Sequence, residues 1–163
     1  LHFVDNYRRL TRIPKPRFSI FPVSELFERV ERLMGGRFTE AGITFESSIV
    51  PEGIELTADP DLLEQVLINL VQNSVQALSG IPKGKITLHA GTDSLGRIFV
   101  QVTDNGPGIM PDALASIFIP FFTTKRDGSG IGLSLSKQIM RLHKGTIAVR
   151  SEPNVETVFT MRF

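Results

Sequence analysis

Residues 127–145 read DGSGIGLSLSKQIMRLHKG, a glycine-rich loop that runs directly into an apolar helix. The spacing of Gly128, Gly130 and Gly132 is G-x-G-x-G after a loop, which fits neither the dinucleotide fingerprint nor the P-loop. The first amides of a helix lack intrahelical partners and lie at the positive end of its dipole. We therefore predict an anion site, such as a phosphate cradle, at residues 130–133, and the alternative is a flexible linker.

A second predicted helix, residues 59–78, carries a stripe of side-chain amides. Asp59 and the proline after it are typical of a helix start, and Gln65, Asn69 and Asn73 follow on one face at intervals of four residues. A buried amide costs about 1 to 3 kcal/mol unless it is hydrogen-bonded. The stripe is therefore a structural network, a solvated helix face or a Mg²⁺ site, since Mg²⁺ accepts a few protein oxygens beside water and phosphates.

The segment VTDNGPGI, residues 102–109, follows a predicted strand. Asp104, Gly106 and Gly108 are compatible with an ordinary Asp-Asn-Gly turn. They are equally compatible with a carboxylate that accepts a hydrogen bond from an exocyclic amine, such as that of adenine, while the glycines let the base lie against the backbone. The motif alone leaves both interpretations open.

The segment SIFIPFFTTKRDGSG, within a long loop over residues 106–132, has no helical or strand period. Long loops inside a compact domain are usually functional. Lys125 on this loop suits a terminal phosphate, or is simply solvated. Phe118, Phe121 and Phe122 either pack on the core or dock the loop onto a partner.

The remaining segments complete the predicted fold. Helices are expected over residues 1–10, 23–34 (ending at Gly35-Gly36) and 131–142, a strand pair over 42–50 and 53–58, a hairpin over 85–90 and 97–103, and two last strands over 145–151 and 156–163. Helices and strands alternate without a regular βαβ repeat. This order predicts an α/β sandwich, a mixed β-sheet covered on one face by about three α-helices.

The composition excludes several classes of protein. With 18 basic and 17 acidic side chains among 163 residues, the net charge of +1 is too balanced for a nucleic-acid or anionic-membrane surface. The absence of cysteine excludes disulfides and thiolate metal sites. No apolar run approaches the ~18 residues of a membrane helix. His2, His89 and His143 have no spaced partner and are interpreted as structural or surface residues.

Four segments in order, DLLEQVLINLVQNSVQAL, DNGPGI, IFIPFFTTK and GSGIGLSLSKQIMRLHKGTI, resemble the N, first glycine, F and second glycine boxes of sensor histidine kinases. Residues 18–163 thus resemble the catalytic ATP-binding domain of the GHKL superfamily, which implies a Bergerat-type fold. Residues 1–17 resemble the end of a dimerisation and phosphoacceptor helix and its linker in nitrogen-regulation-type kinases. The resemblance implies two parts with a boundary at residue 17.

The resemblance also implies roles for individual residues. Asn73 would be the Mg²⁺ ligand, and Asn69, one turn earlier, would orient water or phosphate. Asp104 would bind the adenine amine, and Lys125 would reach the terminal phosphate; Asn69 and Lys125 are the catalytic candidates. Further residues implied in ATP binding are Gly106, Gly108, Ile109, Gly128, Gly130, Ile131, Gly132, Leu133 and Thr157.

Three departures from the family pattern stand out. Gln76 replaces a basic residue that many members carry, and Val155-Glu156 replaces a glycine before Thr157. The phosphoacceptor motif His-Glu-x-x-Asn-Pro is absent from the sequence. The fragment is therefore expected to bind ATP and not to autophosphorylate by itself, with residues 112–129 as a lid that nucleotide orders.

The implied activity is that of a protein-histidine kinase, which passes the ATP γ-phosphate to a histidine on an upstream helix and then to a response-regulator aspartate. Implied partners are its own dimerisation helices, a response regulator and a second copy in a homodimer, without nucleic acid. We interpret the chain as a cytoplasmic piece of a longer protein, compatible with an inner-membrane anchor. Alternatives are an ATPase clamp, an anti-sigma-type serine kinase, or a non-enzymatic nucleotide- or partner-binding module.

Overall fold

A computed structural model describes residues 2–163. The helices are α1 His2–Thr11, α2 Val23–Ala41, α3 Pro60–Ala77, α4 Pro111–Leu114 and α5 Gly132–Leu142, and the strands are β1 Ser19–Pro22, β2 Thr44–Val50, β3 Glu55–Ala58, β4 Lys85–Thr92, β5 Ile98–Asp104, β6 Thr146–Glu152 and β7 Glu156–Arg162. Within this range, no helix combines the length and apolar character that crossing a bilayer requires.

The main sheet has five strands in the order β2-β4-β5-β7-β6. Strand β2 runs parallel to β4, and the other neighbours are antiparallel. Helices α2, α3 and α5 lie side by side on one face, with α3 in the middle and in contact with both others. This architecture confirms the predicted α/β sandwich, a mixed sheet covered by three helices.

The inward positions of the central strands explain both the core and an exception to it. On β4 and β5 every second residue is buried beneath the helices, as at Ile86, Leu88, Val100 and Val102. Asp104 occupies the next inward position, at the end of β5, and only 4% of its surface is exposed. A carboxylate thus lies where the pattern calls for an apolar residue.

Two predictions about local structure were wrong. Helix α2 does not end at Gly35-Gly36, because a turn further on Phe38 is buried in the core and Gly42, at φ +65°, makes the left-handed C-cap. The strands at residues 44–50 and 55–58 do not pair with each other. Strand β3 pairs with β1, which the sequence analysis did not predict, and β2 pairs with β4.

Candidate functional site

The centre of the candidate site is the buried carboxylate of Asp104. Its Oδ2 accepts a hydrogen bond from the Ser74 hydroxyl of α3 (2.8 Å), and its Oδ1 accepts one from the Gly106 amide (3.0 Å). Burial raises the pKa of the Asp104 carboxyl, against the opposing effects of these two bonds and of the positive charge on Lys125. A carboxylate has about four acceptor positions, so Asp104 retains the capacity to accept a further donor.

Strands β6 and β7 supply a hydroxyl pair beside Asp104. Thr157 is the register partner of Asp104 and is itself buried. Its hydroxyl lies 2.9 Å from Ser151 Oγ, which also accepts the amide hydrogen of Ile109 (2.8 Å). Gly108 has φ +84°, and a Cβ there would come within 3.0 Å of Ser151 Oγ. The turn after β5 is therefore held against the last hairpin, which brings Ile109 near Thr157.

Helices α3 and α5 meet through Asn69. The Asn69 carboxamide donates to Ser136 Oγ (3.0 Å), and that hydroxyl donates to the Gly132 carbonyl (2.8 Å). A Cβ at Gly132 would overlap the Asn69 side chain. Gly132 therefore lacks room for a side chain because α3 and α5 approach each other closely at this point.

The start of α5 has the properties of an anion site. Its N-cap residue, Ile131, has no side chain that bonds to the amides of the first turn, and its own amide donates to Ser129 Oγ (3.4 Å). The amides of the first turn, which includes Leu133, are left to face a ligand or water.

The glycines before α5 pack closely against the preceding loop. Gly130 has φ +68° and lies against the backbone of Phe121, whose amide donates to the Gly130 carbonyl (2.8 Å). At Gly128, a Cβ would overlap the Thr123 side chain.

The loop lysine contacts the second asparagine of the stripe. The Lys125 ammonium donates to Asn73 Oδ1 (3.1 Å) and to Gln76 Oε1. Burial lowers the pKa of the Lys125 ammonium, and the negative charge of Asp104 opposes that shift. Gln76, at the position where a basic residue was expected, is thus an acceptor for Lys125 rather than a second cation.

The third member of the stripe lies elsewhere. Gln65 is exposed and lines a groove of about 320 Å³ with Arg12 and Leu135. The stripe is therefore divided: Asn69 bonds to α5, Asn73 faces the loop, and Gln65 faces solvent.

The aromatic residues of the loop divide in the same way between core and surface. Phe118 packs edge-on against Phe159, and Phe122 packs against the core. Phe121 is exposed and stacks on Phe3 of α1, with ring centroids 5.0 Å apart. Phe118 and Phe122 therefore follow the first predicted alternative, packing on the core, whereas Phe121 ties the loop to α1 of the same chain.

The donor set fits a hard cation held by few protein ligands. Across residues 2–163, no group of three or more His, Asp or Glu side chains is arranged to hold a metal. Asn73 Oδ1 already faces a cation, the ammonium of Lys125. Mg²⁺ prefers such a site, in which one or two protein oxygens are completed by water and substrate phosphates.

Comparison with known proteins identifies the family. A model of the histidine kinase-, DNA gyrase B- and HSP90-like ATPases matches residues 58–163. The chain belongs to this family. Membership implies that it binds ATP, and the predicted resemblance to sensor histidine kinases is confirmed by the relatives that follow.

Three relatives of this ATPase domain illustrate the likeness. The C4-dicarboxylate transport sensor protein DctB of Rhizobium meliloti is 37% identical over 94% of this chain and 24% of the relative. The sensory histidine kinase/phosphatase NtrB of Vibrio alginolyticus is 34% identical over 84% of this chain and 41% of the length of NtrB. The histidine kinase ThkA, solved in complex with the response regulator protein TrrA, matches at 29% identity and TM-score 0.82 over 99% of this chain and 46% of that one. The chain thus spans less than half of each.

The ATPase domain contains site residues that sequence reasoning missed. Ser74 and Ser151 bond directly to Asp104 and Thr157, and Ser136 joins Asn69 to α5. Ser74 lies one residue beyond Asn73 and is buried on the same side of α3 as Leu70 and Val71, so the apolar period of that helix is a signal that could have placed it in the core. Ser151 depends on the pairing of two strands, and its sequence context alone carries no signal.

Proposed function

We propose that this chain is the ATP-binding catalytic domain of a two-component sensor histidine kinase and transfers the γ-phosphate of ATP to a histidine on an upstream helix. The observation that carries the proposal is the buried Asp104 carboxylate, bonded to Ser74 and Gly106 and paired with Thr157. Family membership and the anion-binding start of α5 support the same conclusion.

At the adenine end, the Asp104 carboxylate accepts a hydrogen bond from the exocyclic amine of adenine. Its burial favours this role, because a hydrogen bond to a charged acceptor is stronger away from water. Ile109 lines the base, while Thr157 supports it through water, and Gly106 and Gly108 allow the ring to approach the backbone. A keto oxygen in place of the amine offers no donor to Asp104, so guanine binds less well.

At the phosphate end, four backbone positions bind the anionic oxygens: Gly130, Ile131, Gly132 and Leu133, with Gly128 allowing the chain to approach. Asn69 holds α5 in place through Ser136, so that these amides are fixed before the ligand arrives. Asn73 would hold Mg²⁺, which when bound would neutralise phosphate charge. Lys125 moves from Asn73 to the terminal phosphate, a change that a loop lysine can make.

Transfer itself requires positioning more than covalent chemistry from this domain. The imidazole nitrogen of the acceptor histidine forms a bond to the γ-phosphorus as the bond to the bridging oxygen breaks, and ADP leaves with that electron pair. Lys125 stabilises the charge on the transferred group. The lid over residues 112–129 excludes water when it closes.

The proposed partners follow from the relatives. The acceptor histidine lies on dimerisation helices of the parent protein, which is a homodimer, and the phosphoryl group passes to a response regulator. The solved complex of the histidine kinase ThkA with the response regulator protein TrrA supports this assignment. We place the domain in the cytoplasm, where ATP is available.

The test is transfer from γ-labelled ATP. The purified chain is mixed with a separately purified dimerisation domain that carries the acceptor histidine, and acid-labile, alkali-stable label on that domain is measured. Lys125→Ala serves as the inactive control. Label on the acceptor domain supports the proposal. Release of inorganic phosphate without label would instead favour an ATPase clamp, although Asn69 provides no carboxylate to activate water. Label on serine would favour a serine kinase.

A further inference from the structure

His143, which the sequence analysis interpreted as a structural or surface residue, bonds to the start of another helix. It forms the C-cap of α5, and its Nε2 lies 3.0 Å from the Asp59 amide nitrogen. Since a backbone amide donates, Nε2 accepts and carries no proton. The proton is therefore on Nδ1, which donates to the Ile139 carbonyl (2.8 Å). The ring thus links the end of α5 to the residue that caps α3.

Asp59 in turn links α3 to the segment that follows α1. Its Oδ1 accepts from the amides of Asp61 and Leu62, the usual N-cap bonds, while Oδ2 accepts from the Arg17 amide (2.8 Å). Burial alone would raise the pKa of the Asp59 carboxyl, but these amide bonds lower it overall. A single carboxylate therefore caps a helix and anchors the chain at Arg17.

The segment at residues 12–18 also contacts the imidazole directly. The ring of Phe18 packs edge-on against His143, with centroids 5.3 Å apart. Phe18 itself is exposed. Two contacts, one polar through Asp59 and one aromatic through His143, therefore fix this segment at the point where α3 and α5 come together.

From this geometry we infer that His143 is a positioning residue, which together with Asp59 sets how the segment at residues 12–18 docks on α3 and α5. These two helices carry Asn73 and the anion-binding amides, and the segment leads back to α1. The joint of His143, Asp59 and Arg17 therefore sets where α1 stands relative to the candidate nucleotide site. The consequence for phosphotransfer rests on the proposed kinase function, whereas the docking itself does not.

The test is hydrogen exchange of backbone amides in the 163-residue chain, compared between the wild type, two variants of His143 and a control variant of His89. His143→Leu removes the acceptor at Nε2, and we expect the Arg17 amide to exchange about tenfold faster, while amides of β5 keep their protection. In His143→Gln the side-chain oxygen can replace Nε2 as acceptor, so protection at Arg17 returns to within about threefold of the wild type. His89→Leu, the same change at a histidine bonded to Ser48, leaves residues 12–18 unaffected.

A substitution at Asp59 removes the other half of the joint. Asp59→Asn keeps one oxygen for the α3 amides and replaces the acceptor for Arg17, so exchange at Arg17 accelerates while α3 stays protected. In the transfer assay, His143→Leu lowers turnover at saturating ATP several-fold without changing the KM for ATP, and His143→Gln restores turnover.

Three results would overturn the inference: unchanged exchange at Arg17 in His143→Leu, a loss of protection spread equally over the whole domain, or a His143→Gln variant that behaves like His143→Leu. If instead Arg17 responds as expected but the wild type neither binds nor transfers from ATP, the joint stands and the proposed function fails. The two claims are therefore tested separately.

Discussion

Replacing Asp104 by asparagine separates the stability of the domain from its affinity for adenine. The two bonds that Asp104 accepts can both be kept by a carboxamide: its oxygen accepts from the Gly106 amide, and its nitrogen donates to Ser74 Oγ, because a hydroxyl can reverse its role. Asp104→Asn therefore removes a buried charge while Ser74 and Gly106 keep a hydrogen-bond partner. We expect the free energy of unfolding to change by less than about 1 kcal/mol at neutral pH, or to increase.

The effect on nucleotide binding is larger. A hydrogen bond to a charged acceptor contributes about 1.5 to 3 kcal/mol, which corresponds to about 10- to 100-fold in affinity. Asp104→Asn replaces one acceptor oxygen by a donor and removes the charge from the other. The affinity for an ATP analogue falls by that factor, and discrimination against GTP falls with it.

The pH dependence has a definite sign. Burial raises the pKa of Asp104 in the folded chain above its unfolded value. The stability contribution of such a group is fully present below the unfolded pKa and is lost as the pH rises through the folded pKa. The asparagine variant lacks this loss, so its stability relative to the wild type increases from acidic to neutral pH.

Urea unfolding of both proteins at several pH values, with calorimetric titration of nucleotide at neutral pH, measures all three effects. An Asp104→Asn variant that binds ATP within about twofold of the wild type would refute the adenine assignment, since a charged hydrogen bond contributes more than that. A variant that unfolds would instead make Asp104 a structural residue whose charge the fold requires.

Further predictions concern the glycines, the lysine and the lid. Gly132→Ala destabilises the domain by about 1 to 3 kcal/mol in urea unfolding, because the new Cβ overlaps Asn69, whereas Gly35→Ala, inside α2 with open space around it, stabilises it by about 1 kcal/mol; equal effects would contradict the packing described. Lys125→Ala lowers the affinity for an ATP analogue about tenfold and leaves that for ADP unchanged, as measured by calorimetry, and parallel losses would place Lys125 away from the terminal phosphate. Phe121→Ala frees the lid from α1, so a protease cleaves residues 112–129 faster in the absence of nucleotide with the unfolding free energy unchanged; unaltered cleavage would show that the ring does not restrain the lid.

Local sequence signals predicted the helices that carry the site. They failed where a contact distant in sequence determines the end of a helix or the pairing of a strand. Asp59 caps α3 as expected, and the predicted helix over residues 59–78 forms with its apolar residues buried. The pair Gly35-Gly36 is a reasonable stop signal, but a buried Phe38 extends the helix, since the free energy of packing exceeds the cost of two helical glycines.

The strand pairing and the hydroxyl groups of the site depend on contacts far apart in sequence. Strand β2 pairs with β4, although β3 and the whole of α3 lie between these two strands in the sequence, rather than with β3, which follows it directly. Ser151 meets Thr157 because β6 and β7 pair in one register, and Ser74 meets Asp104 because α3 crosses the end of β5. Serine has no distinctive pattern in sequence, so these contacts emerge only from the packed structure. The role of His143 has the same origin, since its acceptor bond spans from α5 to the cap of α3.

The most direct test of the account is a calorimetric titration of the unmodified chain with a non-hydrolysable ATP analogue, with and without Mg²⁺, beside a GTP analogue and the variant Asn73→Ala. We predict Mg²⁺-dependent binding of the ATP analogue, weaker binding of the GTP analogue by about tenfold or more, and loss of the Mg²⁺-dependent part in Asn73→Ala with the fold intact. Equal binding of the two nucleotides, or no binding of either, would contradict the assignment of Asp104, Asn73 and the start of α5 to a nucleotide site.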